Sequence, residues 1–217
     1  MDNEWRIWQF ADSAFPSSGF AHSGGLEAAY QHRIVIDGAS LEQFLNSSRT
    51  QLIAGVLQFV CAAYDSPSQF GVIDEQCNLF LNNHVANRAS RLQGKAFLSL
   101  AARIFDSSML TSLVDMTRYG RASAHLAPVF GVVMRASDIS RQRALNLFLF
   151  TTLRSYLSSA VRLGIVGPIE AQQIQAKLTA PSTFDDGSKA KAPVQTSPIL
   201  DLLQATQNRL YSRLFQS

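Results

Sequence analysis

The groups able to do chemistry in this 217-residue chain are few and scattered. Four histidines (His22, His32, His84 and His125) and two cysteines (Cys61 and Cys77) are the candidate metal ligands. A metal site gathers two or three of His, Cys, Asp or Glu, often four residues apart on a helix. No such pair of histidines or cysteines occurs here. Cys77 and His84 are seven residues apart, which on one continuous helix places them on one face about two turns apart. That is long for joint ligation, and both fall on an apolar stripe, which predicts core packing. His125 stands just ahead of Pro128, where a structural hydrogen bond at a helix start is expected. His22 and Glu27 share a glycine-rich bend. On a helix starting near Gly19 they would lie about 140° apart, so they do not chelate together. Turn stabilisation is the leading role for His22, and a transient metal relay is the alternative.

Nucleophilic chemistry finds no better footing. Ser23, His125 and Asp12 are the residue types a hydrolase would recruit. The segment Gly19-Phe-Ala-His-Ser23-Gly has neither the preceding strand nor the spacing of a nucleophile elbow. No glycine-rich loop ending in Lys-Ser or Lys-Thr is present to cradle phosphate. No catalytic residue is expected, and any nucleotide chemistry must come from another protein.

The composition favours binding over turnover. Hydrophobic residues make up 47% of the chain and charged residues only 16%. A large core and some apolar surface for a partner follow from that balance. The net charge is +3, and arginine supplies most of the basic side chains. Arginine suits interfaces because its planar fork pairs with carboxylates and stacks on rings. The basic residues are spread out, with no cluster beyond Arg141 and Arg143, which argues against nucleic-acid binding. The two cysteines sit in apolar helical patterns, which suits a reducing compartment rather than a disulfide scaffold. No basic flank with an apolar run opens the chain, and no run of about 18 apolar residues crosses a membrane. A cytoplasmic location is expected.

Helical periodicity must position these groups. Ser40 with Gln43 predicts a capping box, followed by a stripe of Leu41, Leu45, Leu52, Val56, Phe59 and Ala63. Phe70, Ile73, Cys77, Phe80, Leu81 and His84 form the next stripe. A helix from Ser90 buries Phe97, Leu100, Ala101 and Ile104. Pro128 suits the first turn of a helix reaching Ala136. The stretch Ser140–Leu163 is the longest helix and, apolar on most sides, is placed at the centre. Gly164 and Gly167 stop it, and Pro168 begins another helix to about Leu178. Gly94, Gly120 and Gly131 are expected at close helix contacts. The chain is therefore read as all-α, a single-domain bundle of about eight to ten helices over residues 1–178. Residues 179–196, with two prolines and Asp185-Asp-Gly187, read as a flexible linker. Residues 197–217 form a C-terminal helix and tail, with Ile199, Leu203, Leu210 and Leu214 on one face.

Asp12-Ser-Ala-Phe-Pro-Ser-Ser-Gly-Phe-Ala-His-Ser-Gly-Gly-Leu-Glu27 is punctuated more heavily than a helical bundle needs. It resembles the N-terminal motif of the UreF urease accessory proteins, although Gly24 stands where that family usually carries a larger residue. Four further segments fit the same family in order. They are Ala89-Ser-Arg-Leu-Gln-Gly94, His125-Leu-Ala-Pro-Val-Phe-Gly131, Arg162-Leu-Gly-Ile-Val-Gly-Pro168, and Thr196-Ser-Pro-Ile-Leu-Asp with Tyr211-Ser-Arg-Leu-Phe215. The last is similar to the plant-like branch. The resemblance implies an all-α, homodimeric, non-catalytic chaperone. It implies assembly with the D-type (H-type in some bacteria) and G-type accessory proteins and with the urease apoprotein. Nickel would be handled by that complex, with no cofactor bound tightly by this chain. Phe15, Pro16, His22 and Glu27, together with Leu210, Tyr211, Arg213, Leu214 and Phe215, are the expected partner-binding residues. The final helix is expected to become ordered on the D-type partner. A different class of reading makes the chain a regulator of the G-type GTPase through an arginine such as Arg118, Arg121 or Arg213. Direct nickel binding is a third.

Overall fold

A computed structural model describes residues 4–15, 22–178 and 190–216. The described chain is helical throughout, as expected. Its elements are α1 (Glu4–Ala11), α2 (Leu26–Gln31), α3 (Gly38–Ala54), α4 (Val56–Asp65), α5 (Phe70–Phe80), α6 (His84–Ile104), α7 (Ser108–Arg118), α8 (Leu126–Ala136), α9 (Arg141–Arg162), α10 (Pro168–Lys177) and α11 (Pro198–Thr206). Short 3₁₀ turns at Pro67–Gln69 and Gln207–Arg209 extend two of the connections. Among the described residues, no helix is long and apolar enough to cross a membrane.

Side-chain caps start α3, α6 and α7, the first two at positions that differ from the expected ones. Asp37, not Ser40, caps α3; its carboxylate accepts from the Ser40 N–H at 2.9 Å, and the Ser40 hydroxyl reaches back to the Asp37 N–H. Ser40 is thus the third helical residue of the box rather than its start. Gly55, at φ −104 and ψ −100, divides the long stripe into α3 and α4, and an added Cβ there would lie 2.9 Å from the Gln51 carbonyl and 3.0 Å from Phe80. Asn83 caps α6, its Oδ1 accepting from the Val85 N–H at 2.9 Å. That cap starts α6 six residues before Ser90 and separates His84 from Cys77. Cys77 is buried, with its thiol pKa pushed up by burial and by the Asp74 charge. His84 is exposed instead of packed in the core. Along α6, Phe97, Leu98 and Ala101 face inward while Ile104 is 43% exposed.

Two apolar cores share one long helix. The first gathers α4, α5, α6, α7 and α8 around Phe97, Phe130 and Phe148. The second packs α2, α3, α10 and α11 around Leu26, Leu41, Leu45 and Ile174. The 22-residue α9 serves both, giving Leu145, Leu147 and Phe148 to the first and Leu153, Leu157 and Ala160 to the second. The centre of the bundle, however, is α8, where every residue from Ala127 to Met134 is buried. Two glycines let its neighbours approach. An added Cβ at Gly131 would sit 2.4 Å from the Val60 carbonyl of α4, and one at Gly94 would sit 2.0 Å from the Ala124 carbonyl. Both obstacles are backbone and cannot rotate away. Gly120 differs: it ends α7 at φ +70 with open space around it.

Part of the expected linker is anchored. Residues 190–197 run extended along the junction of α3 and α4. The Val194 N–H donates to the Ala54 carbonyl at 2.8 Å, and the Lys191 N–H donates to the Gln58 side chain at 2.7 Å. Gln51 accepts from the Thr196 and Ser197 N–H groups. The break at Gly55 frees the Ala54 carbonyl that this strap uses. The remainder of the linker, 179–189, lies outside the described residues.

Candidate protein-docking site

The N-terminal motif and the C-terminal tail meet at one carboxylate. The chain leaves α1 through Phe15, whose ring lies 5.1 Å from Phe10 and 5.8 Å from Phe97. Phe15 is half-buried in that aromatic cluster, and Pro16 lies outside the described residues. The chain then passes His22, Ser23, Gly24 and Gly25 before α2 begins at Leu26. His22 and Glu27 therefore do not share a helix; both are buried beside the bend. Gly24 and Gly25 hold φ values of +62 and +89, which side chains rarely adopt. An added Cβ at Gly24 would lie 2.3 Å from the Tyr156 ring. Tyr156 thus takes the space that a larger residue at position 24 would need.

Glu27 is 2% exposed, and its acceptors are used by the tail. Its carboxylate accepts from the Leu214 N–H at 2.6 Å, the Phe215 N–H at 3.2 Å and the Gln207 side-chain amide. A buried carboxylate without such donors would be costly. Phe215 is 4% exposed and lies under the Arg162 guanidinium, 4.2 Å from the ring centre. Asn83 donates to the Asp201 carbonyl at 2.7 Å, and Gln31 donates to the Ser212 carbonyl at 2.8 Å.

The tail is accordingly docked on its own domain, and only part of it is helical. α11 ends at Thr206, and residues 210–216 continue without helix after the 3₁₀ turn. The expected stripe of Ile199, Leu203, Leu210 and Leu214 does not persist: Leu203 is buried, while Ile199 and Leu214 are 57% and 66% exposed. Tyr211 is fully exposed, Arg213 is exposed and Leu210 is half-buried. Of the nine expected partner-binding residues, Glu27 and Phe215 hold the tail in place, and Tyr211, Arg213 and Leu214 point outward.

Between α6 and this tail lies an open groove of about 460 Å³ lined by His22, Arg88, Ala89, Leu92, Arg213, Leu214, Phe215 and Gln216. Asn208 stands at its edge. Its side-chain oxygen accepts from Arg88 at 3.2 Å and from Arg213 at 3.4 Å, while its amide nitrogen contacts His84 Nε2 at 3.1 Å. Arg88, Leu92 and Asn208 were not expected from the sequence. Arg88 and Leu92, four apart on a helix, carry no chemical signal by type or spacing, although Leu92 lies within the family segment 89–94. Asn208 carries no motif at all.

The other candidates divide between the core and the surface. His125 is fully buried; its ring contacts Ser90 Oγ at 3.1 Å and Asn78 Oδ1 at 3.2 Å, the structural role expected of it. Arg118 pairs with Asp115 at 3.7 Å, and Arg121 lies over the Tyr119 ring. Among the described residues, no three His, Cys, Asp or Glu side chains gather as a metal site would require.

The pKa values of both buried histidines are lowered. For His22 the main cause is burial, with the Arg88 charge second. For His125 burial again leads, opposed by the Asp74 carboxylate. Unfolded, each regains a value near 6.5 and binds protons more readily than the folded chain. Stability from these groups is complete above that value and is lost as pH falls through it towards the lowered folded values. Urea midpoints measured from pH 7.5 to 5.5 should therefore decline. A flat profile would show that neither ring is held neutral.

Comparison with known proteins agrees with the motifs. The family model described as UreF matches residues 35–179. The urease accessory protein F of Arabidopsis thaliana is 35% identical over 222 residues, covering 99% of this chain and 92% of that protein. Urease accessory protein F of Oryza sativa subsp. indica is 34% identical, covering 97% and 84%. A UreF-like urease accessory protein of Schizosaccharomyces pombe is 30% identical, covering 95% and 94%.

Proposed function

Because the chain belongs to the UreF family of urease accessory proteins, we propose that it serves urease maturation as a non-catalytic bridging chaperone. It holds the D-type (or H-type) accessory protein and the G-type GTPase together while nickel, the cargo, passes to the urease apoprotein. Family membership supports the role in urease maturation. The bridging role draws its support from one observation. The docked tail spends Glu27 and Phe215 on its own fold and leaves Tyr211, Arg213 and Leu214 facing solvent. Exposed tyrosine and arginine side chains on an ordered scaffold are the kind of anchors that carry interface energy. On this reading the protein works as a homodimer in the cytoplasm, with the tail as one wall of its docking surface.

Co-purification with the D- and G-type proteins, followed by urease activation with nickel, GTP and bicarbonate, tests the proposal. Cutting after Gln195 would remove α11, whose Leu203 belongs to the second core, so a shorter truncation is the better probe. A chain ending at Arg209 should remain helical by circular dichroism yet capture the D-type protein at least about tenfold more weakly, the effect of losing one good interface anchor. Equal capture by the shortened chain would overturn the role of the tail. Full urease activation without this protein would overturn the bridging role.

A further inference from the structure

We infer that the groove between α6 and the docked tail is a carboxylate-binding site that takes an acidic segment of the protein partner, with an apolar residue beside the acid. The inference rests on the bridging reading and names the chemistry of its docking surface. Arg88 reaches the groove from α6 and Arg213 from the tail, and both donate to the same Asn208 oxygen. Two guanidinium groups converging on one neutral acceptor repel each other. Among the described residues, no carboxylate forms an ion pair with either; Glu27 accepts from the tail N–H groups and Gln207 instead. His22 adds no compensating negative charge, and the field of Arg88 at that ring helps to lower its pKa.

An incoming carboxylate would supply what is missing. It accepts from both forks at once, in charge-assisted bonds stronger than those to the Asn208 amide. Leu92 and Leu214, 50% and 66% exposed, flank the two arginines and give the same segment an apolar seat. A free anion would use the arginines but leave those leucines uncovered, so the combination selects a peptide segment. The site also depends on tail docking, because Arg213 directly precedes the two residues whose N–H groups are held by Glu27.

The test uses the full chain and the purified D-type accessory protein. Arg88→Glu with Arg213→Glu should weaken capture by at least tenfold and remove most of its salt dependence between 50 and 300 mM, with circular dichroism unchanged. Arg88→Lys should retain part of the binding. Photocrosslinking from p-benzoylphenylalanine at position 92 should mark a partner segment containing Asp or Glu. Binding by wild type that the double charge reversal leaves intact would overturn the inference while sparing the bridging reading. A crosslink to a second copy of this chain, or to a segment without a carboxylate, would do the same. No capture by the wild-type chain would sink the bridging reading and this inference together.

Discussion

Replacing Asp74 with alanine should destabilise the protein by about 3–5 kcal/mol, the largest single effect expected away from the glycine contacts. Asp74 is 1% exposed on α5, and its carboxylate accepts three successive backbone N–H groups. These come from Ser123 at 2.7 Å, Ala124 at 3.0 Å and His125 at 2.7 Å. They precede α8, the most buried helix of the bundle, so the carboxylate also faces the positive end of that helix. Ala124 holds a φ of +58, a conformation that a non-glycine residue keeps only when its surroundings impose it. Alanine at position 74 would leave these buried donors without an acceptor, at roughly 1–3 kcal/mol each before relaxation. Asparagine keeps one acceptor oxygen and should fall between the two. Urea midpoints ranked Asp, Asn, Ala with an unchanged m value would agree with this account. An alanine variant within about 1 kcal/mol of wild type would show that water satisfies the loop equally well.

Asp74 also shows where sequence reasoning stops. The apolar stripes of α3, α4 and α5 follow from periodicity, because a helix burying one face repeats its leucines and phenylalanines every three or four residues. The stops at Gly164, Gly167 and Pro168 are equally local. What sets Asp74 apart is a loop about fifty residues away, and no local pattern encodes that distance. The same holds for Asn83, whose short side chain divides two helices that the apolar pattern ran together. α1 is short and exposes Trp5 and Trp8, which blur its inward face, and α7 buries only Leu110 and Leu113, too few to mark a stripe. α9 looked central from its phenylalanines, yet Phe150 is 44% exposed. The sequence marked α8 only by Pro128 and a glycine, because a helix buried on all sides has no amphipathic period to read.

The site divides in the same way. Its motif residues could be found because glycines, a histidine and a Tyr-Ser-Arg-Leu-Phe ending stand out from a helical background. Their joining could not be found, since Glu27 and Leu214 are 187 residues apart. The tail looked detachable because its apolar residues suited an amphipathic helix. In the structure that helix ends early, and backbone N–H groups take over the anchoring.

Glu27→Ala should therefore release the tail without unfolding the bundle. The variant removes the acceptor of the Leu214 and Phe215 N–H groups and of the Gln207 amide at a site 2% exposed. Losing charge-assisted bonds of this kind costs about 2–4 kcal/mol of docking, which raises the undocked population roughly 30- to 1000-fold. The two cores contain neither Glu27 nor its hydrogen-bond partners Gln207, Leu214 and Phe215, so the thermal midpoint should move far less than for Asp74→Ala. Amide exchange at Leu214 and Phe215 reads the effect directly, and trypsin cleavage after Arg209 and Arg213 should quicken with it. Glu27→Gln should be intermediate, since its amide group keeps one oxygen but offers donors where an acceptor is needed. Capture of the D-type protein should fall in the same order, because a freed tail no longer holds Arg213 beside Arg88. Unchanged exchange at Leu214 and Phe215 in the alanine variant would mean that Phe215 packing under Arg162, and not the carboxylate, fastens the tail.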